Sequence, residues 1–115
     1  MSTPSPDRRT ARSRALHRAV TRKIRQRPQE AWALAYRRVD RLAEDPHARY
    51  YVREWRKWLE RSLDDVCRLL AEDTSEYADA MRKMSPFVGL LTKAERDAIY
   101  RHYAVNAVKP PSLLR

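Results

Sequence analysis

Residues 46–70 read PHARYYVREWRKWLERSLDDVCRLL, and their apolar side chains recur with the period of an α-helix. Asp45 and Pro46 favour a helix start, because aspartate caps helices well and proline fits the first turn. Ser62 and Asp65 have the spacing of a capping box, which favours a second start. The segment therefore predicts two helices, which could also be continuous with each other, over about 46–61 and 63–72.

The apolar positions of these two helices define the predicted core. They are Tyr51, Val52, Trp55, Trp58 and Leu59 in the first helix, and Leu63, Val66, Cys67, Leu69 and Leu70 in the second. Each set falls on one side of its helix, so both helices should bury that side in a common core.

Similar patterns on either side of this segment extend the helical prediction. Helices are predicted over 14–26, 28–44, 75–84 and 92–105, the last opened by a capping box of Thr92 and Glu95. Their predicted buried positions are Leu16, Val20 and Ile24; Trp32, Ala35, Tyr36, Val39, Leu42 and Ala43; Tyr77, Met81 and Met84; and Ile99 and Tyr103. The apolar loop 85–89 should fold back onto them. The predicted fold class is all-α, a compact bundle of five or six short helices.

The two ends of the chain lack this periodicity. Residues 2–13 contain two prolines and no large apolar side chain, so we predict a disordered basic arm over 1–13. The bundle is predicted over 14–105 and a C-terminal tail over 106–115, because consecutive prolines at 110 and 111 stop a helix. A chain of 115 residues has room for one small domain.

Composition argues against several classes of protein. The single glycine, Gly89, disfavours a nucleotide-binding fold, whose phosphate-cradling loops need several glycines. No apolar run reaches the roughly 18 residues needed to span a bilayer, and no apolar stretch near the N-terminus indicates a secretory signal. One cysteine fits a reducing compartment. We therefore expect a cytoplasmic protein with no membrane partner and no small-molecule substrate.

Residue types that support catalysis are scattered along the chain. His17, His47 and His102 share no ligand spacing with one another or with an acidic pair. Cys67 lies in an apolar stretch, which predicts an inert buried thiol, and no serine lies in a nucleophile-elbow motif. We therefore predict a protein that is not an enzyme, with no catalytic residue, no metal site and no cofactor.

Positive charge is concentrated near the N-terminus. Residues 1–27 contain nine basic residues and one acidic residue, which is eight of the ten net positive charges of the chain. A second basic group recurs at helical spacing in the third predicted helix, and a third occupies the polar side of the preceding one. Clustered arginine is the electrostatic signature of a partner rich in phosphate.

These three groups make up the predicted nucleic-acid-binding site. The predicted binding residues are Arg8, Arg9, Arg12, Arg14, Arg18, Arg22 and Arg25; Arg37, Arg38 and Arg41; and Arg49, Arg53, Arg56 and Lys57. Their contacts would be to backbone phosphates, and Tyr50 could stack on a base. The type of nucleic acid stays open between RNA and DNA and between single and double strands. The near-balanced charge of residues 28–115 predicts protein subunits, including copies of this chain, as further partners.

Two other functions stay open. Residues 63–84 could form a helix-turn-helix, with 75–84 as the recognition helix of a DNA-binding regulator, although Glu76 and Asp79 have the wrong charge for base edges and phosphates. The acidic residues between 64 and 79 could instead bind a basic partner, as in a protein-binding inhibitor or antitoxin.

A short, basic, wholly helical chain with an aromatic core resembles the small subunits of multi-subunit CRISPR effector complexes. The residues that support this resemblance are Arg37 and Arg41 together with Arg49, Arg53, Arg56 and Lys57. The resemblance implies several copies packed along a backbone filament and a positive groove for the guide–target duplex or the displaced strand. It also implies that the subunit itself catalyses nothing.

Overall fold

The structure is a computed structural model that describes residues 6–107, with residues 105–107 described by their backbone alone. Six α-helices lie in this range: α1 (Arg8–Gln26), α2 (Pro28–Leu42), α3 (Arg49–Leu59), α4 (Leu63–Ala71), α5 (Glu76–Lys83) and α6 (Lys93–Ala107). Two 3₁₀ turns, Pro46–Ala48 and Val88–Leu90, precede α3 and α6. No strand occurs within residues 6–107, so the predicted all-α bundle is confirmed.

The first helix lies at the centre of the bundle. α1 packs against α2, α4, α5, α6 and the second 3₁₀ turn. The apolar stripe predicted for it is confirmed, since Leu16, Val20 and Ile24 are all buried. The most basic segment of the chain is therefore also the segment around which the other helices pack.

The predicted boundary of the N-terminal arm was wrong. α1 begins at Arg8, where the side chain of Asp7 accepts a 2.7 Å hydrogen bond from the backbone N–H of Thr10. Residues 8–13 are therefore helical, and residues 1–5 of the predicted arm lie outside the described residues. At the other end, α6 continues to Ala107, so the predicted tail began two residues too early, and residues 108–115 lie outside the described range.

The predicted side-chain caps are present, although the Asp45 cap begins the 3₁₀ turn Pro46–Ala48 and α3 itself begins three residues later than predicted, at Arg49. Asp45 accepts from the backbone N–H of His47 at 2.9 Å, and Ser62 accepts from that of Asp65 at 3.1 Å. Ser62 therefore begins a separate helix, and residues 60–62 interrupt the continuous alternative. The box of Thr92 and Glu95 is reciprocal, with hydrogen bonds of 2.7 and 3.1 Å.

The core is organised around aromatic rings. Phe87, from the loop predicted to fold back, is fully buried and makes edge contacts with Trp55 at 5.8 Å and Trp32 at 5.4 Å between ring centroids. Trp32 Nε1 donates to Leu59 O at 2.8 Å, which joins α2 to the end of α3. Tyr36 was predicted to be buried, but it is 45% exposed, because the small residues of α2 face the core instead.

Arg82 is a charged side chain in the core, with 2% of its surface exposed. Its Nη1 donates to Leu69 O at 2.8 Å and to Leu70 O at 3.2 Å, carbonyls near the C-terminal end of α4. Its Nη2 is paired with Asp79, which also accepts two hydrogen bonds from Arg14 at 3.0 and 2.9 Å. One carboxylate thus joins α1 to α5, and the guanidinium that it neutralises satisfies carbonyls of α4.

The buried imidazole of His17 is expected to make the folded protein less stable in acid. Burial lowers the pKa of His17 from 6.5 to about 4, and the nearby charge of Arg82 contributes to this shift. Because the unfolded chain takes up the proton first, stability should decline from pH 6.5 to 4 by about 3 kcal/mol. Urea unfolding followed by circular dichroism over this range would measure it.

A histidine substitution separates this effect from the titration of carboxylates. Asparagine does not titrate, so the variant His17→Asn should lack this loss. The difference in free energy of unfolding between wild type and His17→Asn should therefore change by about 3 kcal/mol between pH 6.5 and 4. His47→Asn, at an exposed position, is the matched control. A constant difference between wild type and His17→Asn would contradict the prediction.

Candidate nucleic-acid interface

The basic residues predicted on α1 divide into two groups. Arg14 and Arg25 form ion pairs with acidic residues of α5 and α4, Asp79 and Asp64, both at 2.9 Å. Hydrogen bonding to Arg14 lowers the pKa of Asp79, which is the expected result of a carboxylate held between two guanidinium groups. Arg14 therefore ties α1 to α5, whereas the Arg25–Asp64 pair is exposed and adds little to stability.

The other predicted arginines of α1 remain available to a partner. Arg8, Arg9, Arg18 and Arg22 are exposed, and none has a carboxylate within 4.0 Å in the range 6–104. Arg12 is half-buried, with its guanidinium carbon 4.9 Å from the centroid of the Tyr100 ring. These five side chains keep the full positive charge that a phosphate would need.

The predicted stripe on α3 has the expected geometry but a reduced charge. All four of its residues are exposed on one face of the helix. Arg53 and Lys57 lie 3.8 and 3.2 Å from Glu54, and Arg56 lies 3.4 Å from Asp40. Tyr50 is 45% exposed, as its predicted stacking role requires, and Arg53 covers one face of its ring.

Three adjacent clefts surround the loop of residues 84–89. The first, about 340 Å³, lies between α1, α5 and α6; the second, about 360 Å³, lies between α2 and residues 83–86; the third, about 250 Å³, lies between α2, the loop and α6. They share lining residues: Lys83 belongs to the first and second, Arg38 to the second and third, and Val88 to the first and third. We call this continuous region the basic cleft surface.

The basic cleft surface is lined almost entirely by one sign of charge. Its basic residues are Arg9, Arg12, Arg38, Arg41, Lys83 and Arg96, together with Arg82, which is buried and paired with Asp79. Asp45 is the one carboxylate among the described residues that line it. A concave surface with one sign of charge concentrates the field and attracts a polyanion.

Local packing fixes two of the guanidinium groups on this surface. A Cβ atom added at Gly89 would lie 3.1 Å from Arg38 Nη2, so the absence of a side chain lets Arg38 pack against the loop. Arg96 Nη1 donates to Leu91 O at 2.7 Å, which ties its side chain to the start of α6. Arginines held in this way lose less side-chain entropy when they bind phosphate.

Four of the predicted binding residues are brought together here: Arg9 and Arg12 from α1, and Arg38 and Arg41 from α2. Lys83 and Arg96 were missed. Lys83 directly follows the buried Arg82 at the end of α5, and Arg96 lies among acidic and basic residues of α6. Neither belongs to a periodic basic stripe that sequence reasoning could detect. Their contribution depends on the loop that brings the ends of α5 and α6 beside α1 and α2.

The two alternative functions receive less support from this geometry. α5, the proposed recognition helix, packs against α1 and buries Ala78, Met81 and Arg82. The acidic residues proposed to bind a basic partner are partly used within the chain, because Asp64 and Asp79 pair with α1.

The described range was also predicted to contain an inert thiol and no metal site. Cys67 is buried, as predicted, and burial raises the pKa of its thiol. Within residues 6–107, no three His, Cys, Asp or Glu side chains are grouped as metal ligands would be.

Among the helices that the structure describes, none has the length and apolarity needed to cross a membrane. Comparisons with protein-family models, curated proteins and solved structures found no match to this chain.

Proposed function

We propose that this chain is a non-enzymatic nucleic-acid-binding protein that holds a sugar–phosphate backbone on the basic cleft surface. The observation that carries the proposal is the convergence of basic residues from α1, α2, α5 and α6 on three connected clefts with one lining carboxylate. Contacts of this kind are made to phosphates and are tolerant of sequence. We propose further that it acts as a subunit or accessory of a nucleoprotein complex.

The most specific form of the proposal is the small subunit of a multi-subunit CRISPR effector complex. In that setting the basic cleft surface would contact the guide–target duplex or the displaced strand. The α3 stripe, whose charges are partly neutralised by Glu54 and Asp40, would be free to contact neighbouring protein subunits. A copurification experiment on the native assembly would identify those subunits.

Neutralising the basic cleft surface should weaken nucleic-acid binding. In the triple variant Arg38→Gln, Arg41→Gln and Lys83→Gln, we expect affinity at low ionic strength to fall about tenfold or more. The slope of log affinity against log salt should become shallower by about two to three, since up to three phosphate contacts are lost. Fluorescence anisotropy with short single-stranded and double-stranded DNA and RNA over a salt series measures both quantities.

A second triple variant on α3 controls for the loss of net charge. Arg49→Gln, Arg53→Gln and Lys57→Gln remove the same three charges from a different face. Their effect should be several-fold smaller than that of the cleft variant. Equal losses would mean that binding follows net charge alone, and no binding by the wild type to any of the four nucleic acids would overturn the proposal.

A further inference from the structure

The first cleft differs from the other two in what lies at its base. His17 and Arg82 line it, although both side chains are almost completely buried. Within residues 6–104, His17 Nε2 and Arg82 Nε lie buried without a hydrogen-bond partner. A buried polar atom costs free energy when it has no partner, so the base of this cleft favours a polar ligand over an apolar one.

These two atoms have opposite hydrogen-bonding roles. His17 Nδ1 lies 2.8 Å from Ser13 O, which can only accept, so Nδ1 carries the proton and Nε2 is the acceptor. The other nitrogens of the Arg82 guanidinium are engaged with α4 carbonyls and Asp79, which leaves Nε–H as a donor. The described chain therefore leaves one donor and one acceptor without a partner at the base of this cleft, and these are the two kinds of group that a nucleobase edge carries.

The walls of the cleft supply the other two elements of a nucleotide site. Arg9, Arg12 and Lys83 place three cationic side chains around it, and no carboxylate is among its described lining residues. Tyr100 is 40% exposed and, together with apolar Leu16, offers a surface for a base. A volume of about 340 Å³ is at the small end of ligand pockets, so it has room for one nucleotide and none for a duplex.

We propose that the first cleft binds a single nucleotide, with its phosphate on Arg9, Arg12 and Lys83 and its base against Tyr100, above the buried side chains of His17 and Arg82. The nucleotide can be the phosphorylated end of a strand or a free nucleotide, since both present the same chemistry. The strand-end form rests on the function proposed above, whereas the free-nucleotide form does not.

Calorimetric titration with four kinds of probe tests this site. Adenosine 5′-monophosphate should bind about tenfold or more tightly than inorganic phosphate or adenosine, because it alone contacts both the cationic side chains and the Tyr100 ring. An oligonucleotide with a 5′-phosphate should bind more tightly than the same strand with a 5′-hydroxyl. NMR shifts of the Tyr100 ring and the His17 imidazole on addition of the monophosphate would locate the site.

Matched variants confine the effect to this cleft. Arg12→Gln and Tyr100→Leu should each weaken binding of the monophosphate about tenfold, through loss of a phosphate contact or of stacking. Arg49→Gln removes the same charge as Arg12→Gln from an exposed position on α3 and should leave the titration unchanged.

The outcomes separate the two proposals. Oligonucleotide binding that ignores the terminal phosphate, with no binding of the monophosphate, overturns the nucleotide site and leaves the proposed function standing. Binding of the monophosphate without any oligonucleotide binding supports the nucleotide site and overturns the proposed nucleic-acid-binding function. Phosphate bound as tightly as the monophosphate also overturns the nucleotide site, because the base then contributes nothing.

Discussion

Replacing Val20 with aspartate is expected to unfold the protein. Val20 is fully buried on the inner face of α1, the helix that packs against α2, α4, α5 and α6. The substitution places a carboxylate in an apolar interior, and we expect a loss of at least about 4 kcal/mol. The free energy of unfolding of a small domain is only about 5–15 kcal/mol. The urea midpoint measured by circular dichroism should therefore fall sharply or disappear.

Arg22→Gln is the matched control for this prediction. It makes the same change in net charge on the same helix, but at an exposed position without an ion pair in the range 6–104. Its effect should stay within about 0.5 kcal/mol. A small effect of both substitutions would contradict the central position of α1 and would favour a detachable basic arm.

Removing the carboxylate of Asp79 is expected to have the second largest effect. Asp79→Ala leaves the Arg82 guanidinium buried without its counter-charge and also releases Arg14 from α5. Breaking a buried ion pair from one side costs about 3–5 kcal/mol, and the part exposure of Asp79 places the expectation at about 3 kcal/mol. Urea unfolding at neutral pH measures this loss.

A double-mutant cycle tests the cause of that loss. Asp79→Ala combined with Arg82→Met should cost less than the sum of the single substitutions, because the uncompensated charge is gone. Asp97→Ala breaks an exposed pair with Lys93 and should cost less than about 1 kcal/mol. Additive effects of Asp79→Ala and Arg82→Met would show that the two side chains are not coupled.

Local sequence signals were sufficient to predict most of the helical architecture. The caps at Asp45, Ser62 and Thr92 act within three residues of themselves, so their spacing is visible in the sequence. The first turns of α1, residues 8–13, were missed although Asp7 caps them locally, because they contain no apolar period. Their packing depends on distant partners, since Arg12 is held by an aromatic ring on α6.

Only part of the candidate interface could be predicted from the sequence. Sequence reveals where charge lies, but it does not reveal which charges are neutralised by contacts between helices. Arg14 and Arg25 were predicted to bind phosphate, yet each pairs with a carboxylate of α4 or α5. Lys83 and Arg96 were not predicted, because only the packing of the loop of residues 84–89 brings them beside Arg38.

The central position of α1 also sets the order of events during synthesis. This helix is translated before α4, α5 and α6, although it depends on all three for its packing. Contacts between segments so far apart in the chain form slowly, because the long loop between them must close first. A nascent chain that ends before α5 would expose a basic amphipathic helix, and native folding on the ribosome should wait until most of the chain has emerged.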